Sequence, residues 1–372
     1  MRVVFVGGGT SGHVNPALSI ADYVKKREPD AEILYIGAKG GIEERLVPKA
    51  GYPIETISIS GFQRKLSVQN IFRNVKTVGN IFLSTMETKK ILKRFRPDVC
   101  VGTGGYVSGP VLREAAKLRI PTVAHESNAI PGKTTKWLSK TVDTVLLAVP
   151  ETKKYFDEKA HCVVTGNPVR EEFTSVDPSE ARRKLGLDGR PVILSFGGSL
   201  GATAINSAVI GMLRESVKEG RFQHIHGYGT HDEDFLNRLH AAGIQEKEHP
   251  EIRLFSYIDE MPTILAAADL VISRAGAMTL SEITAAGKAS ILIPSPNVAE
   301  NHQFHNADNL VQKHAAMMLE EKDLTGERLW QMARNLAGRP QELRLLGEQA
   351  KKIQDIDAKA QIYREIKRTV KA

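Results

Sequence analysis

The sequence predicts an α/β protein made of two doubly wound, Rossmann-like domains facing a cleft, and three observations carry that expectation. Short apolar runs recur along the 372 residues with amphipathic helical stretches between them, the pattern of a parallel sheet covered on both faces. The series stops near 166–190, at Asn167–Pro168 and an acidic helical patch, and then starts again. Finally, glycines and polar side chains concentrate just past the strands, where open parallel sheets bind their ligands.

The first series comprises RVVFV (2–6), EILYI (32–36), IETISI (54–59), DVCVG (98–102), PTVAH (121–125), DTVLLA (143–148) and CVVTG (162–166). A turn of Gly, Pro or Asn and an amphipathic stretch follow each run. The second comprises PVILSFG (191–197), FQHIHG (222–227), IRLFSY (252–257), DLVISR (269–274), SILIP (290–294) and AMMLE (316–320). Residues 325–372 read as helical, charged and strand-free. The expected division is a domain over 1–166, a second over 167–345, and a C-terminal helix over 346–372 that packs back on the first.

Composition narrows the function. With 41% hydrophobic and 25% charged residues the chain is ordinary globular protein, not a disordered segment or a coiled coil. Cys100 and Cys162 lie in apolar runs without a C-x-x-C partner, which reads as buried, reduced thiols. The N-terminus enters a strand directly, with no signal-peptide pattern, and no window approaches the roughly 18 apolar residues of a spanning helix. A location in the cytosol, or on the cytosolic face of a membrane, is expected. The net charge of +8 is local. Segment 61–97 holds nine basic residues (Arg64, Lys65, Arg73, Lys76, Lys89, Lys90, Lys93, Arg94, Arg96) against Glu87, and the remainder of the chain is balanced. That balance, with only 6% aromatic residues, argues against nucleic acid as a partner.

The strand ends carry the chemistry. After the first strand, Gly7, Gly9 and Gly12 spell G-x-G-x-x-G, which lets backbone N–H groups approach a phosphate or sugar. A dinucleotide site also wants an acid at the end of the second strand. Gly37 stands there, so a dehydrogenase is disfavoured. His13 lies outside that fingerprint. A second close-approach loop, GTGGYVSGP (102–110), contributes Gly104, Gly105, Tyr106 and Ser108. HESNAIPG (125–132) supplies His125, Glu126 and Asn128, either as a tuned imidazole or as a buried structural pair. In the second half, FGGSLGA (196–202) repeats the theme around Ser199. In SRAGAMTLSE (273–282), Gly276 is expected to end the strand, and Ala277, Met278 and Thr279 to form a helix turn whose N–H groups suit a diphosphate. Glu282, a turn further on, suits two ribose hydroxyls, or serves as a capping-box acid after Thr279. NVAENHQFHNA (297–307) clusters Glu300, Asn301, His302, Gln303 and Asn306. His302 and His305 have no evident third ligand, so no metal is expected.

The stretches GGGTSGHVNPAL, GGYVSGP, HESNAIPGKTTKWLSK, GNPVR, GGSLGA, RAGAMTLSEI and ENHQFHNA resemble, in order and spacing, the MurG family of N-acetylglucosaminyltransferases. The likeness runs from about residue 2 to 370. It implies the glycosyltransferase-B fold, with an acceptor-binding, membrane-associating first domain and a UDP-GlcNAc-binding second domain. It also implies transfer of GlcNAc from UDP-GlcNAc to the 4-hydroxyl of the muramyl sugar of lipid I, with inversion, no cofactor and no bound metal. By the same resemblance, Thr10, Ser11, Gly12 and Asn128 contact the GlcNAc and nearby diphosphate. Arg170 and Ser199 contact phosphate, the Ile258 backbone reads the uracil edge, and Gln303 meets a sugar hydroxyl. The span Ala277, Met278, Thr279, Leu280, Ser281 and Glu282 forms the diphosphate-and-ribose turn. One departure shows: the family usually writes GGTGGH, and Ser11 replaces a glycine where backbone approach is tight. A UDP-GlcNAc 2-epimerase of the same fold is the alternative.

Inverting transfer needs a base for the acceptor hydroxyl and fixed donors for the departing UDP. The donors fall to residues 277–279 and Arg170. For the base, His13 comes first and His125, oriented by Glu126, is the rival. The lipid-linked acceptor makes an anionic membrane surface an expected partner through segment 61–97, where Val68, Ile71, Phe72, Val75, Val78, Phe82 and Met86 follow helical spacing. A peripheral position on the cytoplasmic side of the cell membrane follows, with other cell-wall synthesis proteins as partners.

Overall fold

A computed structural model describes residues 1–59, 83–353 and 357–371. Of segment 61–97, the calls on residues up to Phe82 lie outside the described residues. The chain divides into two units, Met1–Val169 with Ile356–Ala372, and Arg170–Asp355.

The first unit is built on seven parallel strands: β1 (Arg2–Val6), β2 (Glu32–Ala38), β3 (Ile54–Ile57), β4 (Val99–Gly102), β5 (Thr122–Glu126), β6 (Thr144–Leu147) and β7 (Cys162–Val164). Their order is β3-β2-β1-β4-β5-β6-β7. The chain therefore winds outward from β1, returns, and winds the other way from β4. The switch point lies between β1 and β4, whose ends align at Val6 and Gly102. Central strands are apolar on both faces because helices cover both. On one side Ile20, Val14, Ala17, Ala21 and Val24, spaced as one helical stripe on Ser11–Arg27, pack with Val3 and Phe5. The C-terminal helix Ala358–Lys371 adds Ile362 and Ile366 to that cluster. It is held at its edges by Tyr363 and Lys367 on Glu28 and by Thr369 on Thr144.

The second unit has six parallel strands: β8 (Val192–Phe196), β9 (Gln223–Gly227), β10 (Ile252–Phe255), β11 (Leu270–Ser273), β12 (Ala289–Leu292) and β13 (Met317–Met318). Their order, β10-β9-β8-β11-β12-β13, puts its switch point between β8 and β11, aligned at Phe196 and Ser273. Helices Thr203–Glu219 and Gly326–Ala337 meet at Gly211 and Gly326, so close that a Cβ on either would lie within 3 Å of the other's backbone. The expected segment 346–372 divides between the units: residues up to Ile353 close the helix Pro340–Ile353 in the second, and Ala358–Lys371 packs in the first.

Candidate active site

In the first unit the two glycine loops interlock at the switch point. Gly105 has φ of +81°, and a Cβ there would lie 2.1 Å from Gly8 O. Only a residue without a side chain permits that approach. Thr103, just past β4, ties the loops by donating its hydroxyl to His13 O at 2.6 Å. Its own carbonyl oxygen lies 3.2 Å from His13 Nδ1. A carbonyl can only accept, so Nδ1 is the donor in this contact, and in the neutral tautomer compatible with it the basic nitrogen is Nε2. Gly104 makes room for that ring, since a Cβ there would fall 2.6 Å from Nδ1. Tyr106 lies half-buried against Gly9.

Thr10 is the N-cap of Ser11–Arg27, and its carbonyl accepts from the N–H groups of His13 and Val14. Ser11 is therefore the first helical residue. It is absent from the non-glycine residues of positive φ, so its Cβ brings no backbone strain. Gly12 has only Thr10 Oγ1 near its missing side chain, at 3.6 Å, and keeps the approach open on that face.

Three expectations for this unit need correction. His125 is 1% exposed, with Nε2 donating to Gly166 O at 3.0 Å. Burial, outweighing Gly166 and the Glu126 charge, lowers its pKa below the ordinary value. It is a neutral core residue and no rival as base. Glu126 does not orient it, because successive strand residues point to opposite faces. Its carboxylate instead accepts from Asn128 N, Asn128 Nδ2 and Gly132 N, each at 3.0 Å, and so shapes the 127–132 loop. Ser108 is buried, and its hydroxyl is committed to Gly104 O at 2.7 Å, a lock within the loop and not a substrate contact.

In the second unit, the loop after β8 has Gly198 at φ +101° and Gly201 at +90°, with Ser199 half-buried between them. A Cβ on Gly201 would lie 2.2 Å from Tyr228 O, so this loop is pressed onto the one after β9. Ile258 follows β10 and is buried, its side chain against Gly227. After β11 the strand ends at Ser273, not at Gly276; Arg274 and Ala275 intervene, and Gly276 is the N-cap of helix Ala277–Ala285. The N–H groups of Ala277, Met278 and Thr279 open this helix at its positive end. Because Gly276 is the cap, Thr279 with Glu282 is not a capping box. Leu280 and Ser281 leave the ligand-facing set: the Leu280 N–H is used by Gly276 O, its side chain is buried in the core, and the Ser281 hydroxyl donates to Ala277 O.

Glu282 is half-buried, and burial raises its carboxyl pKa to about 7 against the lowering pull of Arg170. Arg170 is exposed, with its guanidinium 5.1 Å from the centre of the Phe173 ring. After β12, Glu300 and Asn301 both take positive φ, +52° and +48°, immediately before helix His302–Gln312. Such strain in non-glycine residues concentrates at ligand sites. Gln303 Oε1 accepts from Ser295 N at 2.9 Å, which leaves the amide's Nε2 as its donor side. Sequence reading missed Arg274, which donates to Ile293 O and Pro294 O and pairs with Glu321, bracing the ends of β11 and β12. An arginine beside a glycine turn was its only signal.

Residues 3–147 match the glycosyltransferase family 28 N-terminal domain, and residues 192–362 match the family 28 C-terminal domain. The chain is 44% identical to the UDP-N-acetylglucosamine–N-acetylmuramyl-(pentapeptide) pyrophosphoryl-undecaprenol N-acetylglucosamine transferase of Acetivibrio thermocellus, over 100% of this chain and 99% of that one. The chain belongs to the MurG family. A crystal structure of MurG from Acinetobacter baumannii superposes with a TM-score of 0.75 at 28% identity, covering 99% of both chains. The match confirms the glycosyltransferase-B fold with two Rossmann-like domains. A structure of a putative UDP-N-acetylglucosamine 2-epimerase from Listeria monocytogenes is similar at TM-score 0.71 but 12% identity, covering 98% of this chain and 95% of that one, and so shares the fold alone. MurG membership thus favours the transferase over the epimerase.

Proposed function

We propose that this N-acetylglucosaminyltransferase moves GlcNAc from UDP-GlcNAc to the 4-hydroxyl of MurNAc in undecaprenyl-pyrophosphoryl-MurNAc-pentapeptide, converting lipid I to lipid II in peptidoglycan synthesis, with inversion and without a metal. The observation that carries the mechanism is the Thr103 carbonyl on His13 Nδ1. It presents Nε2 as the basic nitrogen, which takes the proton of the acceptor hydroxyl as that oxygen attacks the anomeric carbon. The bond to the UDP oxygen breaks on the opposite face. The charge that develops on the leaving diphosphate is met by the N–H groups of Ala277, Met278 and Thr279, by Arg170 and by Ser199. Glu282 accepts the ribose hydroxyls, the Ile258 backbone reads the uracil, and Gln303 donates to a sugar hydroxyl. Thr10, Ser11, Gly12 and Asn128 contact the GlcNAc and diphosphate; Gly104, Gly105 and Tyr106 form the acceptor side.

The test is UDP release from UDP-GlcNAc in EDTA, with and without a short-chain lipid I analogue. Release that depends on the analogue and survives EDTA is expected. Turnover without an acceptor would contradict transfer, and loss of turnover in EDTA would contradict the metal-free route.

We also infer peripheral docking on an anionic leaflet through segment 61–97. No described helix is long and apolar enough to cross a membrane. Within the described part, Leu83, Met86, Lys90 and Lys93 recur at helical spacing and all are exposed. Met86, a member of the apolar stripe read from the sequence, faces outward. Each basic side chain near an anionic surface contributes roughly 1 kcal/mol.

A further inference from the structure

We propose that Glu43 is a positioning residue for His13, holding the first glycine loop in the shape from which the base acts; this rests on the assignment of His13 above. Glu43 opens the helix Glu43–Lys49 and is completely buried. An acid in a first helical turn usually faces solvent and the helix dipole. This one turns inward, and no basic side chain pairs with it among the described residues. Its two oxygens serve backbone instead: Oε2 accepts from Gly9 N at 3.3 Å and Oε1 from Ala38 N at 2.9 Å.

The surrounding glycines are shaped to this carboxyl group. A Cβ on Gly8 would lie 2.2 Å from Oε1, one on Gly41 would lie 2.5 Å from Cδ, and one on Gly37 would lie 2.5 Å from Cγ. The position where a dinucleotide fold carries its ribose-binding acid is thus kept empty so that Glu43 can pass beneath the loop. Tyr35 adds a second tether by donating to Gly7 O at 2.6 Å. Gly7 to Gly9 are bound from below by these two side chains, and Thr10 then caps the helix that carries His13. A misplacement of about 1 Å in a reacting group can cost on the order of 100-fold in rate.

The experiment is a double-mutant cycle on Glu43→Gln and His13→Ala, reading kcat and donor KM for analogue-dependent UDP release. An amide supplies one acceptor oxygen where the carboxylate supplies two, so one backbone N–H faces an NH2 group. Glu43→Gln is expected to lower kcat by roughly 10- to 100-fold, with donor KM within about twofold, and to have little further effect in the His13→Ala background. An unchanged kcat overturns the proposal. So does a fall that persists undiminished without His13, because the carboxylate then acts by another route. Failure of the base assignment is read separately, as His13→Ala that keeps its kcat. If Glu43→Gln does not fold, Gly41→Ala pushes the carboxylate while retaining it, and the same pattern is expected; wild-type kcat in folded Gly41→Ala overturns the proposal.

Discussion

At the scale of the residue, environment decides which polar side chains do chemistry and which hold the chain. His125 lies within β5 and His13 in the first turn of the helix after β1; one ring is sealed in the core on Gly166 O and the other is set on a loop carbonyl. The sequence showed both histidines but not which way they turn. Ser108, Leu280 and Ser281 were misassigned for the same reason, since a motif gives position and not side-chain direction. Glu43 was illegible for another: in GGIEERL it reads as an ordinary first-turn acid. Glu282 yields a prediction with a sign. Its pKa of about 7 means that the free enzyme holds much of it protonated near neutrality. Ribose hydroxyls donate to the ionised form, so donor KM should rise as pH falls below about 7, and Glu282→Gln should flatten that dependence. Stability runs the other way. The folded pKa lies above the ordinary 4.5, so this group's stabilising contribution is complete below that value and is lost as pH rises through 7. Thermal melts should therefore show Glu282→Gln gaining on wild type at alkaline pH and not at about pH 4. Glu126→Ala should destabilise by about 1–3 kcal/mol in denaturant titration, because three N–H donors of a half-buried loop lose the buried carboxylate that gathers them.

At the scale of the element, glycine loops are fitted against one another in pairs, one pair in each unit. Gly105 meets Gly8 in the first and Gly201 meets Tyr228 O in the second, both at positive φ. Alanine at either must move a loop, but the kinetic signatures should separate. Gly105→Ala is expected to lower kcat on the acceptor side with donor KM nearly unchanged. Gly201→Ala is expected to raise donor KM by roughly 10-fold or more, since Ser199 moves with its loop. Steady-state kinetics on the two variants check this. The elements themselves were highly legible. Every strand read from the sequence occurs, because most are short apolar runs bounded by turn residues. Ends were less so: IRLFSY stops at Phe255 and DLVISR at Ser273, where side chains become polar and the chain turns toward the next helix.

At the scale of the whole molecule, two sheets wound by one rule each present a helix N-terminus and a glycine loop at the switch point, and family membership assigns the pair to sugar transfer. The alternation of strand and helix made this architecture readable. The route of the C-terminal helix to the first unit was readable only as an expectation, since nothing local in Ala358–Lys371 names its partner. The basic segment makes a global prediction: the protein should cosediment with vesicles containing anionic lipid at low salt and be released at high salt, and Lys90→Glu with Lys93→Glu should weaken the binding. The most direct test of the account is kcat and donor KM for His13→Ala. With His13 as the base, kcat should fall by roughly 10²–10⁴ while donor KM stays near wild type. A variant that keeps its kcat and loses donor affinity would make His13 a sugar contact and contradict it.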